Sequence, residues 1–192
     1  MSLAKLKYRG EELFEPLFRQ LRFSFGWRYY SGHDRIFDFG CGPKGRFCTY
    51  LNSNNITYSQ YTGFDPLVKK MVKRPKFLIT PNLRDVKGKF GLVTMFAVLE
   101  HLQYPNFNFN FLRKLTRSGS ILVITTPSPF GRFFLEKLFY PLNLVSAREI
   151  EEHQHYYTHP EIISLFRKYS FQPITVKNFI FGMVTFAVFV RI

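Results

Sequence analysis

Asp38, Gly40, Gly42 and Gly45 crowd into one stretch, RIFDFGCGPKG, running from Arg35 to Gly45. Strand-like residues end in the acid Asp38, Phe39 follows, and the chain then passes through Gly40, Cys41, Gly42 and Gly45 into helix-compatible sequence. That is the order of a strand, a tight turn and a helix start. Glycines are wanted where a backbone turns sharply with φ free to go positive, and where a ligand must approach main-chain N–H groups without meeting a Cβ. A second acid, Asp65 in YTGFDP, comes roughly 20 residues on, the separation a dinucleotide fingerprint also requires. Asp38 separates the two cofactor classes these glycines could serve. A carboxylate at the strand end repels a pyrophosphate crossing the turn and attracts an ammonium or a sulfonium. The acid argues for a cationic ligand.

His101 follows Glu100 in FAVLEHL, and because histidine titrates near neutrality a general-base role is open beside a purely structural one. His153 and His155 stand two apart in EEHQHYY, so on a strand or extended loop they point the same way. Either could serve as base or orienter of a substrate hydroxyl, or be an ordinary hydrogen-bonded loop histidine. A metal would need a third ligand, and none has suitable spacing, so no metal site is expected. Cys41 and Cys48 have no His or Cys cluster nearby, which fits a reduced, metal-free protein.

The elements that must position these residues alternate in type. Apolar residues at Leu13, Phe14, Leu17, Phe18, Leu21 and Phe25 recur at helical spacing, with Arg19 and Arg22 off the stripe, so an N-terminal helical segment is predicted over about 8–30. Strands are predicted at Arg35–Phe39, Tyr58–Phe64, Lys76–Thr80, Gly91–Phe96 and Ser120–Thr126. Helices are predicted at Gly45–Leu51, from Pro66 through about Val72, at Asn108–Thr116 and at Thr158–Tyr169. Gln172–Phe179 and Met183–Arg191 around Gly182 read as a closing hairpin. Alternating strands and helices with near-continuous apolar strands imply a parallel sheet covered on both faces. In such a sheet ligands sit beyond the carboxyl ends of the strands. Asp38, Asp65, Asn82 with Leu83, and Phe96-Ala97 all fall at or just past such ends.

A chain of 192 residues fits one domain spanning 1–192. No apolar run is long enough to span a membrane and the N-terminus lacks a signal-peptide core, so a cytoplasmic protein is expected. Lys and Arg number 27 against 13 Asp and Glu, a formal charge of +14, which bears on partners rather than on fold. It fits either a basic surface of no special role or an anionic partner: a phosphorylated or carboxylated substrate, a membrane surface or nucleic acid.

DFGCGPKG resembles the first motif of class I S-adenosylmethionine-dependent methyltransferases, GFDP at 63–66 their second acidic motif, and KFGLVTMFAVLEHL at 89–102 their fourth. The resemblance implies a Rossmann-like α/β fold, a mostly parallel seven-stranded sheet of order 3-2-1-4-5-7-6 with helices on both faces and a C-terminal antiparallel hairpin. It implies S-adenosylmethionine as cofactor and S-adenosylhomocysteine as product. Gly40 and Gly42 would border the amino-acid part, with Asp38 acting directly or through water on its ammonium. Asp65 would take the ribose hydroxyls, Phe64 and Pro66 would flank the adenine, and Asn82 and Leu83 would meet its edge and face. Asn82 stands where the family often has an acid, Gly91 where it usually has Asp, and the glycine turn is one residue longer. The variable segment at about 127–157 would be the cap. Within it Phe133, Phe134, Leu138 and Phe139 suit a lid on a hydrophobic acceptor, a core helix or a membrane-docking face. The implied activity is transfer of a methyl to O or N of a small or lipid-linked acceptor. The rival is a catalytically silent cofactor-binding protein serving a partner or RNA, although the RNA-type motif Asn-Pro-Pro-Tyr is absent.

Overall fold

The computed structural model describes residues 16–103, 105–134 and 153–192. In chain order its elements are helix α1 over 16–25, β1 (Arg35–Phe39), α2 (Arg46–Ser53), β2 (Gln60–Phe64), β3 (Val72–Arg74) and β4 (Phe77–Thr80). There follow β5 (Leu92–Phe96), α3 (Asn110–Leu115), β6 (Ile121–Pro127), α4 (Pro129–Phe134), α5 (His159–Arg167), β7 (Phe171–Phe179) and β8 (Val184–Arg191). Short 3-10 turns lie at Trp27–Tyr29, Leu83–Asp85 and Leu99–His101.

The strands form one eight-stranded sheet in the order β3-β4-β2-β1-β5-β6-β8-β7. From β4 through β6 neighbouring strands run parallel, while β8 and β7 close one edge as an antiparallel hairpin. Without β3, this is the order expected from the sequence. The addition replaces the helix expected after Pro66. Only a few residues separate Asp65 from Val72, and VKRPKFLIT folds back on itself with Arg74 opposite Phe77. Pro75 holds a negative φ and Lys76 takes φ +60°, the pair of conformations a tight two-residue turn needs. Lys73 and Arg74 are exposed on this edge strand, where charge discourages further strand pairing.

Side-chain alternation along β1 divides the core between the two faces of the sheet. Phe37 and Phe39 join Phe90, Met95, Phe109, Leu112, Phe166 and Phe189 beneath α3 and α5. Ile36 joins Phe23, Tyr30, Phe47, Leu51, Tyr61 and Phe186 beneath α1 and α2. The inward residue of α1 is Phe23, whose ring lies 5.0–5.5 Å from those of Phe96, Phe47 and Tyr50. Leu17 and Leu21 of the anticipated stripe are instead exposed. The start of α5 is fixed by a capping box, in which the Thr158 hydroxyl accepts from the Glu161 amide and the Glu161 carboxylate from the Thr158 amide.

Candidate functional site

Asp38 closes β1 from inside the sheet. It is 2 % exposed, and its two carboxylate oxygens accept hydrogen bonds from the flanking strands: Oδ2 from the Tyr61 hydroxyl at 2.5 Å, Oδ1 from the Thr94 hydroxyl at 2.7 Å. Burial pushes the carboxyl up from 3.8 to about 6, against the pull of those two hydroxyls. Of the two expected modes, direct or through water, this burial leaves Asp38 the indirect one. Alternation along β1 turns Asp38 into the layer under α2, and the chain supplies partners for both oxygens.

Asp65 is the acid that faces the glycine turn. Its Oδ2 accepts from the Gly42 amide and its Oδ1 from the Leu67 amide, each at 2.9 Å. The turn itself is pinned from the other side, since the Gly40 and Cys41 amides both donate to the Phe64 carbonyl. The glycines do different work. A Cβ on Gly40 would lie 2.2 Å from Val98 Cγ2, so this residue admits the chain following β5. At Gly42, with φ +65°, no heavy atom lies within 4 Å of where a Cβ would stand. Gly45, at φ +54°, opens α2 and is backed by Ile79.

The other strand ends converge on the same edge. Asn82 is exposed and its side chain accepts from the Arg84 amide, capping the turn that carries Leu83. Phe96 is half-buried against Phe23 and Phe47, and Ala97 takes φ +53°, uncommon for a residue with a side chain. Phe64 and Leu83 are half-buried and Pro66 is exposed, so their side chains remain available at the mouth. Phe39 and Cys41 are core residues, packed against Phe111 and under Gly63 respectively, and can meet a ligand only through their backbone.

The histidines have separate partners. His153 Nδ1 lies 2.9 Å from the Tyr156 hydroxyl and its ring meets that of His101 edge-on at 4.9 Å. His155 Nε2 instead lies 3.1 Å from Glu161 Oε1 in the cap of α5. His153 and His155 thus have different partners, and the segment that carries them before α5 is extended loop rather than strand. Glu100 is buried, accepts from the Thr126 hydroxyl at 3.0 Å, and is raised by burial above the usual carboxylate range.

A family model described as a methyltransferase domain matches residues 8–176. The chain belongs to that methyltransferase family. Solved structures agree on the fold. A S-adenosylmethionine-dependent methyltransferase from Archaeoglobus fulgidus aligns with a TM-score of 0.61 at 19% identity, over 93% of this chain and 98% of that one. Magnesium protoporphyrin IX methyltransferase from Synechocystis PCC 6803, with bound S-adenosylhomocysteine, gives 0.60 at 13% over 100% and 89%. A S-adenosylmethionine-dependent methyltransferase from Mesorhizobium loti gives 0.58 at 15% over 85% and 93%. No curated protein matches the sequence.

Several residues that shape this strand-end crevice of the methyltransferase domain escape motif reading. Thr94 and Tyr61 hold Asp38, Gly63 makes room for Cys41, Val98 fills the space over Gly40, and Thr126 holds Glu100. A signal existed for Thr94: a lone hydroxyl in the buried strand LVTMF requires a hydrogen-bond partner. No helix among the described residues is long and apolar enough to cross a membrane. The expected cap at 127–157 is described only at α4 and from His153 onward; residues 135–152 lie outside the described ones.

Proposed function

We propose that this chain transfers a methyl group from S-adenosylmethionine to an oxygen or nitrogen of a small, apolar or lipid-linked acceptor. The observation that carries the reading is the clasp between Gly42 and Asp65 at the carboxyl ends of β1 and β2, with open space over Gly42. A carboxylate offers about four lone-pair sites. The Gly42 and Leu67 amides take one on each Asp65 oxygen, which leaves both oxygens able to accept from the two hydroxyls of a ribose. Phe64 and Pro66 flank the adenine in this reading, Leu83 packs on it and Asn82 offers its amide to the edge. The amino-acid portion lies along the backbone of Gly40, Cys41 and Gly42, with Ala97 and Phe96 across from it and Gly45 fixing the helix start behind. Asp38 acts on the ammonium through its field or a water, because its own oxygens are engaged inside the chain.

When bound, the sulfonium supplies an activated methyl, so the protein's part is chiefly to place the nucleophile in line and exclude water, which can supply roughly 7–11 kcal/mol. His101 and His153, at the ends of β5 and ahead of α5, are the groups placed to orient or deprotonate an acceptor hydroxyl. His155 acts through Glu161 on the start of α5. The apolar acceptor is favoured by exposed Phe130 and Phe133 on α4 and Phe181 on the β7–β8 turn. Titration calorimetry with S-adenosylmethionine, S-adenosylhomocysteine and NAD tests the cofactor, and an acceptor screen read by formation of S-adenosylhomocysteine tests the reaction. Micromolar binding of the first two with none of NAD is expected; preference for NAD would overturn the reading. Cofactor binding without turnover of any acceptor would favour the silent relative.

A further inference from the structure

Glu100, His101 and His153 meet near the carboxyl ends of β5 and β6, with one carboxylate oxygen and one nitrogen of each imidazole all within 4.8 Å of one another. The first two belong to the 3-10 turn after β5 and the third to the segment leading into α5. The backbone ties the two pieces together, the Gln154 amide donating to the Glu100 carbonyl at 2.7 Å. The third ligand missing from the sequence near His153 is thus supplied by a distant element. We propose that Glu100, His101 and His153 form a binding site for one divalent transition ion of the zinc or manganese kind, placed to hold an acceptor oxygen.

Two imidazoles and a carboxylate are a donor set for borderline divalent ions rather than for soft, thiolate-seeking ones. Three protein ligands leave coordination positions open, the arrangement of an ion that acts on a substrate rather than one that only holds the fold. Outer partners that fix the ligands are also present, as working metal sites require. The Tyr156 hydroxyl lies 2.9 Å from His153 Nδ1 and orients that ring, and Thr126 holds one oxygen of Glu100. Arg132 lies over the Tyr156 ring at 5.3 Å. Metal–ligand bonds of about 2.0–2.2 Å put the ligand atoms of a tetrahedral ion roughly 3.4 Å apart, so groups that lie within 4.8 Å of one another draw together by side-chain rotation on loading. Burial gives the ion a further purpose, since an ionised Glu100 is costly to hold away from water without compensating charge.

The role in catalysis rests on the methyl-transfer reading; the site itself does not. A hydroxyl on such an ion gives up its proton to water near neutral pH. The oxygen lone pair then forms the new O–C bond while the pair of the breaking S–C bond stays on sulfur.

The test uses the full chain, stripped with a chelator and titrated by calorimetry with Zn2+, Mn2+ and Co2+, with Co2+ absorption as a second readout. One ion per chain is expected. His153→Ala and His101→Ala should each weaken uptake at least tenfold, and Tyr156→Phe several-fold, with melting temperatures in chelator close to wild type. Glu100→Gln keeps the shape of the buried group and should abolish the tight site. Absence of uptake by the wild-type chain, or undiminished uptake by both histidine variants, overturns the proposal. S-adenosylhomocysteine binding in the same chelated samples reports on the cofactor site alone, so the two readings fail separately.

Discussion

The Tyr61 hydroxyl lies 2.5 Å from Asp38 Oδ2 and locks β2 to the acid at the end of β1. Thr94 does the same from β5 on the other oxygen, so the carboxyl at the centre of the sheet reports on three strands at once. Because burial raises Asp38 to about 6 in the folded chain, the folded state holds a proton over a pH range where the unfolded state has lost it. Stability contributed by this group therefore falls as pH rises from 3.8 to 6, and is flat above. The shift corresponds to about 3 kcal/mol. Thermal melts of wild type and Asp38→Asn from pH 4 to 8 should show the variant gaining on the wild type across that window and not beyond it. A difference independent of pH would mean that Asp38 does not titrate there.

Gly42 and Gly40 make opposite predictions. At Gly42→Val the added Cβ has no heavy atom within 4 Å and the φ of +65° costs roughly 1–3 kcal/mol, so the circular dichroism of the sheet should persist while cofactor binding is lost. Gly40→Ala drives a methyl into Val98 and should lower the melting temperature whether or not ligand is present. Normal cofactor affinity in Gly42→Val would remove the ligand from this turn.

Asp65→Ala should weaken S-adenosylmethionine and S-adenosylhomocysteine by about 1.5–3 kcal/mol, the scale of hydrogen bonds to a charged group. The same change frees the Gly42 and Leu67 amides, so some stability goes with it. Asp65→Asn separates the effects, since its carbonyl oxygen still accepts from one amide. Calorimetry on both decides the matter, and unchanged affinity in both would exclude a ribose contact.

What the sequence reveals and hides here follows from where the determining contacts lie. The β1 bounds and the hairpin at Gly182 come from local periodicity and turn residues, which a chain displays openly, whereas the order of seven strands comes only from what the family resemblance implies. β3 was missed because its hairpin turn, Pro75-Lys76, relies on a lysine at φ +60°, a conformation that sequence does not advertise. That Asp38 is held inside the sheet is likewise not displayed by its motif, because it depends on hydroxyls arriving from two other strands. The grouping of His153 with Glu100 and His101 is a tertiary contact across about fifty residues, invisible to spacing rules.

Phe181 supplies the last prediction. It sits at the tip of the β7–β8 turn at φ +52° and is 93 % exposed, with most of its apolar surface left in water. The turn lies beside the start of α4: the Ser128 hydroxyl donates to the Gly182 carbonyl at 2.7 Å, and the Phe130 ring packs on Gly182. Since β8 runs antiparallel to β6, with Val184 opposite Pro127, this tip stands at the carboxyl edge of the sheet, where an acceptor must enter. Phe181→Asp should therefore leave the melting temperature and cofactor affinity unchanged while lowering turnover of an apolar acceptor severalfold, mainly through KM. Phe181→Leu should restore most of the loss. Loss of cofactor affinity in Phe181→Asp would make the residue part of the fold instead, and equal turnover in all three proteins would place acceptor entry elsewhere.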